Sequence, residues 1–312
     1  MVRGTWLARS VLALGVLASA PNALAETVLR AGGGSATWTA AESPYRLVAP
    51  VAFEDLTVEP GTIVRYSYDA FPAIAVSGAF VVNGTPGAPV VFEKEGGGGP
   101  DEASGGIRAG TFDVRCAIFR HASFALMGGS SSEQNRITES TFEENNWAIE
   151  VQGNLSVDRV AFVGNNTAIF GGASASPFEV RVTNSKVTGG NGFVFLDTST
   201  TTVDVSSSTF VGVYAPVASA AAASIRNSII VDSTFNLTTP RIEVFHSLLW
   251  QVVNASSSIT EGAGILRDDP AFVSSTDFHL SAASPAIDSG SPNGAPDHDF
   301  DGAARPVGLG GS

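Results

Sequence analysis

This chain of 312 residues contains one cysteine, two methionines and two lysines, Lys94 and Lys186. A single thiol, Cys116, excludes a disulfide framework, so whatever fold forms must hold by packing and hydrogen bonds. Cys116 itself reads as a small residue at a turn or core edge. Charge is sparse as well: 15% of residues are Asp, Glu, Lys or Arg, against about 25% in an ordinary globular chain. What charge there is leans acidic, 30 acids against 17 bases for a net of −13. That balance speaks against nucleic acid or an anionic membrane surface as partner, since both demand basic patches. The four histidines, His121, His246, His279 and His298, are too dispersed for a zinc triad by any local spacing. No nucleophile elbow and no P-loop occurs. Gly96 to Gly99 followed by Pro100 is a glycine loop without the helix that a phosphate cradle needs behind it.

Long hydrophobic runs are also missing, apart from one near the start. Val11 to Leu17 is apolar but too short to span a bilayer. It follows Arg3 and Arg9 and precedes Ala23-Leu24-Ala25, the order of basic, apolar and small residues that makes a secretory signal peptide over residues 1–25. Removal of its two arginines takes the net charge to about −15. The expectation is a secreted or extracytoplasmic protein with no membrane insertion once the signal is gone.

What the chain does have is a repeat. Phe119, Phe142, Phe162, Val187, Phe210, Ile230 and Leu249 are separated by 23, 20, 25, 23, 20 and 19 positions. Five residues before each stands a β-branched aliphatic: Val114, Ile137, Val157, Val182, Val205, Ile225 and Val244. Two residues before, the side chain is small except at Val160; seven after, it is aliphatic at Leu126, Ile149, Ile169, Val194, Val217 and Leu237, with Ser256 the break. A period of about 20 to 25 is too short for paired helices, and without a leucine-rich signature it points to a parallel β-helix. Stacked strands about 4.8 Å apart bring each column onto itself, so a coil that buries little alone gains a dry interior from its neighbours. We therefore expect an all-β solenoid of about nine to ten coils, near 45 Å long. Residues 26–45 read as a lead-in, 46–266 as the β-helix with its N-terminal capping coils, and 267–312 as a C-terminal cap module.

The resemblance becomes specific in the segments SPYRLVAPVAFEDLTVEPGTIVRY and AVSGAFVVNGTPGAPVVFE, and in the repeats ITESTFEENNWAIEV and VRVTNSKVTGGNGFVF. These are similar to the secreted bacterial right-handed parallel β-helix proteins of the pectate-lyase-like superfamily. The stretch from Asp268 to Gly308 resembles the closing module of the same group, a choice-of-anchor-type module. The likeness implies a right-handed coil and secretion. It leaves the substrate open, because the superfamily spans lyases, hydrolases, adhesins and members without known activity.

Three places carry candidate chemistry. On the outward side of the strand before each anchor, acids and arginines alternate, giving Asp158, Arg181 and Asp204 as weak catalytic candidates. A glycosidase needs paired carboxylates about 5 to 9.5 Å apart, whereas acids on every second rung stand near 10 Å apart, so a charge ladder that holds register is the plainer reading. Trp147, with Trp250, is a candidate sugar-stacking platform, and Asn146 and Asn166, beside Asn145, Asn165 and Asn191, are either turn formers or sugar-binding amides. Asp297, Asp299 and Asp301, followed by Gly302, have the alternate spacing that wraps a calcium ion, although Gly308 stands where an EF-hand loop has glutamate. The leading function is non-catalytic binding of polysaccharide or of cell-envelope or matrix components by a monomer. Polysaccharide lyase or glycoside hydrolase activity is the alternative, and a structural surface adhesin is the third.

Overall fold

The computed structural model of the chain describes residues 26–66, 72–98, 105–129, 134–171, 176–196, 201–214, 217–218, 222–235, 242–255 and 259–305. The signal-peptide reading of residues 1–25, the end of the glycine loop, Leu237 and Ser256 of the plus-seven column, the middle of the alanine run at 219–221, and the last seven residues lie outside them. The described chain is all-β, a stack of parallel strands interrupted by a single 3-10 turn at Ala40–Glu42. No helix in it is long and apolar enough to cross a membrane.

The strands form three faces of a β-solenoid. On the first, here the anchor face, 11 strands pair in parallel from Thr27–Leu29 to Leu248–Trp250. Tyr45, Val64, Phe92, Phe119, Phe142, Phe162, Val187, Phe210, Ile230 and Leu249 follow one another in exact register. The seven-residue column read from the sequence thus extends three rungs towards the N-terminus, and the lead-in supplies the first rung.

The ladder face precedes it in each coil. Val58, Val82, Val114, Ile137, Val157, Val182, Val205, Ile225 and Val244 stack in register there, and all are essentially buried. The third face follows the anchor face, with Leu126, Ile149, Ile169 and Val194 aligned.

Why this sequence stacks is plainest at the phenylalanines. Parallel pairing fixes the rungs about 4.8 Å apart, so like residues in one column meet face to face. The rings of Phe92, Phe119, Phe142 and Phe162 lie 4.8, 4.7 and 5.5 Å apart, within 14° of parallel. Burial of each ring is worth about 1.5 to 3 kcal/mol, and none becomes dry without the coil above and below.

The corners use two devices. Between the ladder and anchor faces, the residue three before each anchor is left-handed: Cys116, Glu139, Arg159, Asn184, Ser207, Asn227 and His246 have φ of 46 to 54°. The small residue that follows is usually serine, and the reason is a hydrogen-bond ladder. The hydroxyls of Ser140, Ser185, Ser208, Ser228 and Ser247 each accept the backbone N–H one rung earlier, at 3.0 to 3.3 Å. Each donates to the carbonyl two residues before itself.

Between the anchor and third faces, the left-handed residue stands two after the anchor, as at His121, Glu144, Gly164, Gly189, Gly212, Asp232 and Gln251. Asn145 and Asn165 are not the left-handed formers. They are buried, and their amides bridge rungs: Asn145 Nδ2 donates to Asn165 Oδ1 at 2.9 Å and to Phe119 O at 3.0 Å, while Asn165 Nδ2 donates to Phe142 O at 2.8 Å.

The C-terminal segment does not merely close the far end. After Leu266 pairs with Leu248, the chain turns back along the ladder–anchor corner. Asn227 exchanges two hydrogen bonds with Ser291 at 2.8 Å, Lys186 lies over the Phe278 ring, and His298 reaches Asp158. Residues 267–305 therefore form a strap along the outside of the stack.

Candidate functional site

On the ladder face the three catalytic candidates are each paired. The outward side of this face carries two columns rather than one. Asp113, Arg136, Ser156, Arg181, Asp204, Ser224 and Glu243 share the first; Arg115, Thr138, Asp158, Thr183, Ser206 and Arg226 share the second. Arg181 and Asp204 are direct neighbours, whereas the residue beside Asp158 is Thr183, so the three catalytic candidates do not converge. Arg181 donates to Glu179 at 2.8 Å. Asp204 accepts from Ser224 at 2.6 Å and from Arg226 at 2.5 Å. Asp158 accepts from Thr183 at 2.9 Å, Asn184 at 3.0 Å and His298 at 2.9 Å.

Burial works to raise both carboxyls. The bonds from His298, Thr183 and Asn184 to Asp158, and from Arg226 and Ser224 to Asp204, nonetheless hold them below the ordinary carboxylate range. A general acid needs the opposite shift. The two carboxylates stand two rungs apart, about 10 Å before their offset between columns, wider than paired glycosidase carboxylates.

In the strap, Asp297, Asp299 and Asp301 face three different partners. Asp299 Oδ1 accepts the N–H groups of Asp301 at 3.0 Å and Ala303 at 2.8 Å, closing the turn. Asp301 pairs with His279 at 2.7 Å, and Asp297 with His298 at 2.5 Å. A calcium ion needs six or more oxygens aimed at one point. Among the described residues no group of three or more His, Cys, Asp or Glu is arranged to hold a metal.

Cys116 is buried with its sulfur 3.1 Å from Glu139, and burial pushes the thiol up to about 11. That makes it a poor nucleophile.

The anchor–third corner is where candidates meet. Asn146, Asn166 and Asn191 form a second, outer amide ladder: Asn166 Nδ2 donates to Asn146 Oδ1 at 2.9 Å and Asn191 Nδ2 to Asn166 Oδ1 at 2.5 Å. The same corner continues through Tyr214, Thr234 and Val253, with Tyr214 46% and Val253 54% exposed. Trp147 follows Asn146 directly. Its half-buried ring lies 4.2 Å from that of Phe124 and 5.8 Å from that of Phe170, within 20° of parallel to the latter. Here the structure brings Trp147, Asn146 and Asn166 onto one strip, flanked by aromatic rings. Trp250, the other aromatic candidate, lies on the last anchor-face rung, away from it.

Sequence reading missed Phe124, Phe170 and Glu150 of this strip. The signal was present: Phe124, Trp147 and Thr167 fall five after successive anchors, and Glu150 falls eight after Phe142. Glu150 is the one charged residue among the described buried side chains, 9% exposed, on the outer side of the third face between Met127 and Phe170. Burial raises its carboxyl above the usual range. Comparison of the chain with protein-family models and with curated proteins found no match.

Proposed function

We propose that this is a secreted, right-handed parallel β-helix protein of the pectate-lyase-like kind that binds glycans without cleaving them. The observation that carries the reading is the anchor–third corner. A partly exposed tryptophan sits in a row of aromatic rings beside a ladder of outer amides. A pyranose ring has an apolar C–H face and a rim of hydroxyls. Flat aromatic surface takes the first, and amides, which both donate and accept, take the second. Rungs repeating about every 4.8 Å offer such contacts at regular intervals along a line, which suits a polymer better than a small molecule. The non-catalytic part of the reading draws support from the ladder face, where Asp158 and Asp204 are held low by their hydrogen-bond partners and stand two rungs apart.

The test is affinity electrophoresis of the mature protein in gels containing neutral and acidic polysaccharides. Retardation by at least one glycan, lost in Trp147→Ala and weakened in Asn166→Ala, supports the corner as the site. Retardation that survives Trp147→Ala places binding elsewhere.

A further inference from the structure

Glu150 is hard to explain as a structural residue. Ile149 and Val151 on either side of it lie in the core, which puts Glu150 on the outer surface of the third face. Met127 and Phe170 flank it in register, one rung to either side, and Phe170 in turn stacks on Trp147. The carboxylate is thus framed by apolar and aromatic groups. No described side chain or backbone N–H hydrogen-bonds to it; among the described residues the charge acting on it is Arg108, two rungs away in the same column, or about 10 Å. Other acids on the solenoid, such as Glu139, Glu143, Asp158 and Asp204, have a guanidinium or imidazole beside them. The oxygens of Glu150 are not among the fully enclosed, unpartnered polar atoms, so the carboxylate is the end that water still reaches.

A carboxylate half-withdrawn from water beside an aromatic row, with no described donor at hydrogen-bond range, is a group that a cationic ligand can pair. Resting on the glycan-binding reading above, we infer that Glu150, Trp147 and Phe170 form a subsite for a cationic amino sugar, a pyranose carrying a free primary ammonium. The ammonium supplies the N–H donors that the carboxylate lacks. The ring faces of Trp147 and Phe170 attract the same cation, and Trp147 takes the apolar face of the sugar. An uronate or sulfated sugar would instead set its charge against Glu150. The acidic surface as a whole, net −13, draws a polycation in and repels a polyanion. Because burial holds the Glu150 carboxyl up in the free protein, an arriving ammonium lowers it again, and binding releases protons.

Calorimetric titration of the mature protein tests this with three probes of matched length: a glucosamine oligomer with free amines, the N-acetylglucosamine oligomer with the same backbone, and oligolysine. Mildly acidic buffer keeps the amines charged. The expected result is binding of the glucosamine oligomer about tenfold or more tighter than the acetylated one, with proton release. In Glu150→Gln the preference disappears while the acetylated oligomer still binds; in Trp147→Ala both are lost. Thermal unfolding of Glu150→Gln at or above the wild-type temperature shows that the variant folds. Equal affinity for the two sugars, or a preference untouched by Glu150→Gln, overturns the amino-sugar subsite and leaves the glycan-binding reading standing. Oligolysine binding as tightly as the amino sugar also overturns it, since the site would then be reading charge alone. Failure of the wild type to bind either sugar, with the aromatic row indifferent to Trp147→Ala, counts against both.

Discussion

His298 Nε2 lies 2.9 Å from Asp158 Oδ2 and fastens the C-terminal strap to a strand 140 residues earlier. Its other ring nitrogen faces Asp297 Oδ1 at 2.5 Å. Both ring nitrogens must donate, so the bound ring is the imidazolium. The hydrogen bond to Asp158, then that to Asp297, raises its titration above the ordinary histidine value, while neighbouring Arg159 opposes. A raised histidine contributes stability that is complete below its unfolded value of about 6.5 and fades as pH climbs through the folded one. Asp158, held low, contributes above the ordinary carboxylate value and loses that contribution as pH falls. Strap attachment is therefore firmest in mildly acidic solution. Hydrogen-exchange protection of the amides near Ser291 and Ala303, taken relative to the intrinsic base-catalysed rate, should fall on the alkaline side, and His298→Asn should flatten that limb. The loss in stability from the variant is about 1 kcal/mol or less, because the imidazole is partly solvated.

Ser207 pays twice for its position. It occupies a left-handed corner with φ of 51°, and its hydroxyl is buried without a partner. Left-handed geometry costs a residue with a Cβ about 1 to 2 kcal/mol, more than glycine loses in chain entropy. Ser207→Gly should raise the unfolding free energy by about 1 kcal/mol in a urea titration.

Asn165 ties its own rung to the one before it through one amide. It accepts the Asn145 N–H and the Asn145 side-chain amide, and donates to Phe142 O. Asn165→Ala strands these groups in a dry corner, at about 1 to 3 kcal/mol for each group left unmade. With Asn145 Nδ2 keeping Phe119 O, two groups are left unmade and a total loss of about 2 to 6 kcal/mol is expected, whereas Asn166→Ala, on the outer ladder, should cost under about 1 kcal/mol. Denaturant unfolding of the two variants checks the contrast.

The columns were legible in the sequence because parallel stacking repeats one environment at one spacing, so Phe119 and Phe142, or Val157 and Val182, answer to the same demand. The left-handed corners were not. Cys116, Glu139, Arg159, Asn184, Ser207, Asn227 and His246 share a backbone state imposed by the rungs on either side, and no side-chain type marks it. The Asp158–Arg181 adjacency expected from alternating signs dissolves for a related reason: a two-residue offset along a strand separates the charges into parallel columns. The strap was invisible because the contact between His298 and Asp158 obeys no local period. Glu150 escaped notice since in a sequence it looks like any outward acid, and its lack of a partner among the described residues is a property of the assembled face alone.

The most direct test of the account is incubation of the purified protein with a panel of neutral, acidic and amino polysaccharides, with and without calcium. Retention on each glycan, new reducing ends and unsaturated uronate absorbance are followed together. The account predicts retention that depends on Trp147, with neither product released and no requirement for calcium. Release of either product, or the absence of retention on every glycan, would contradict it.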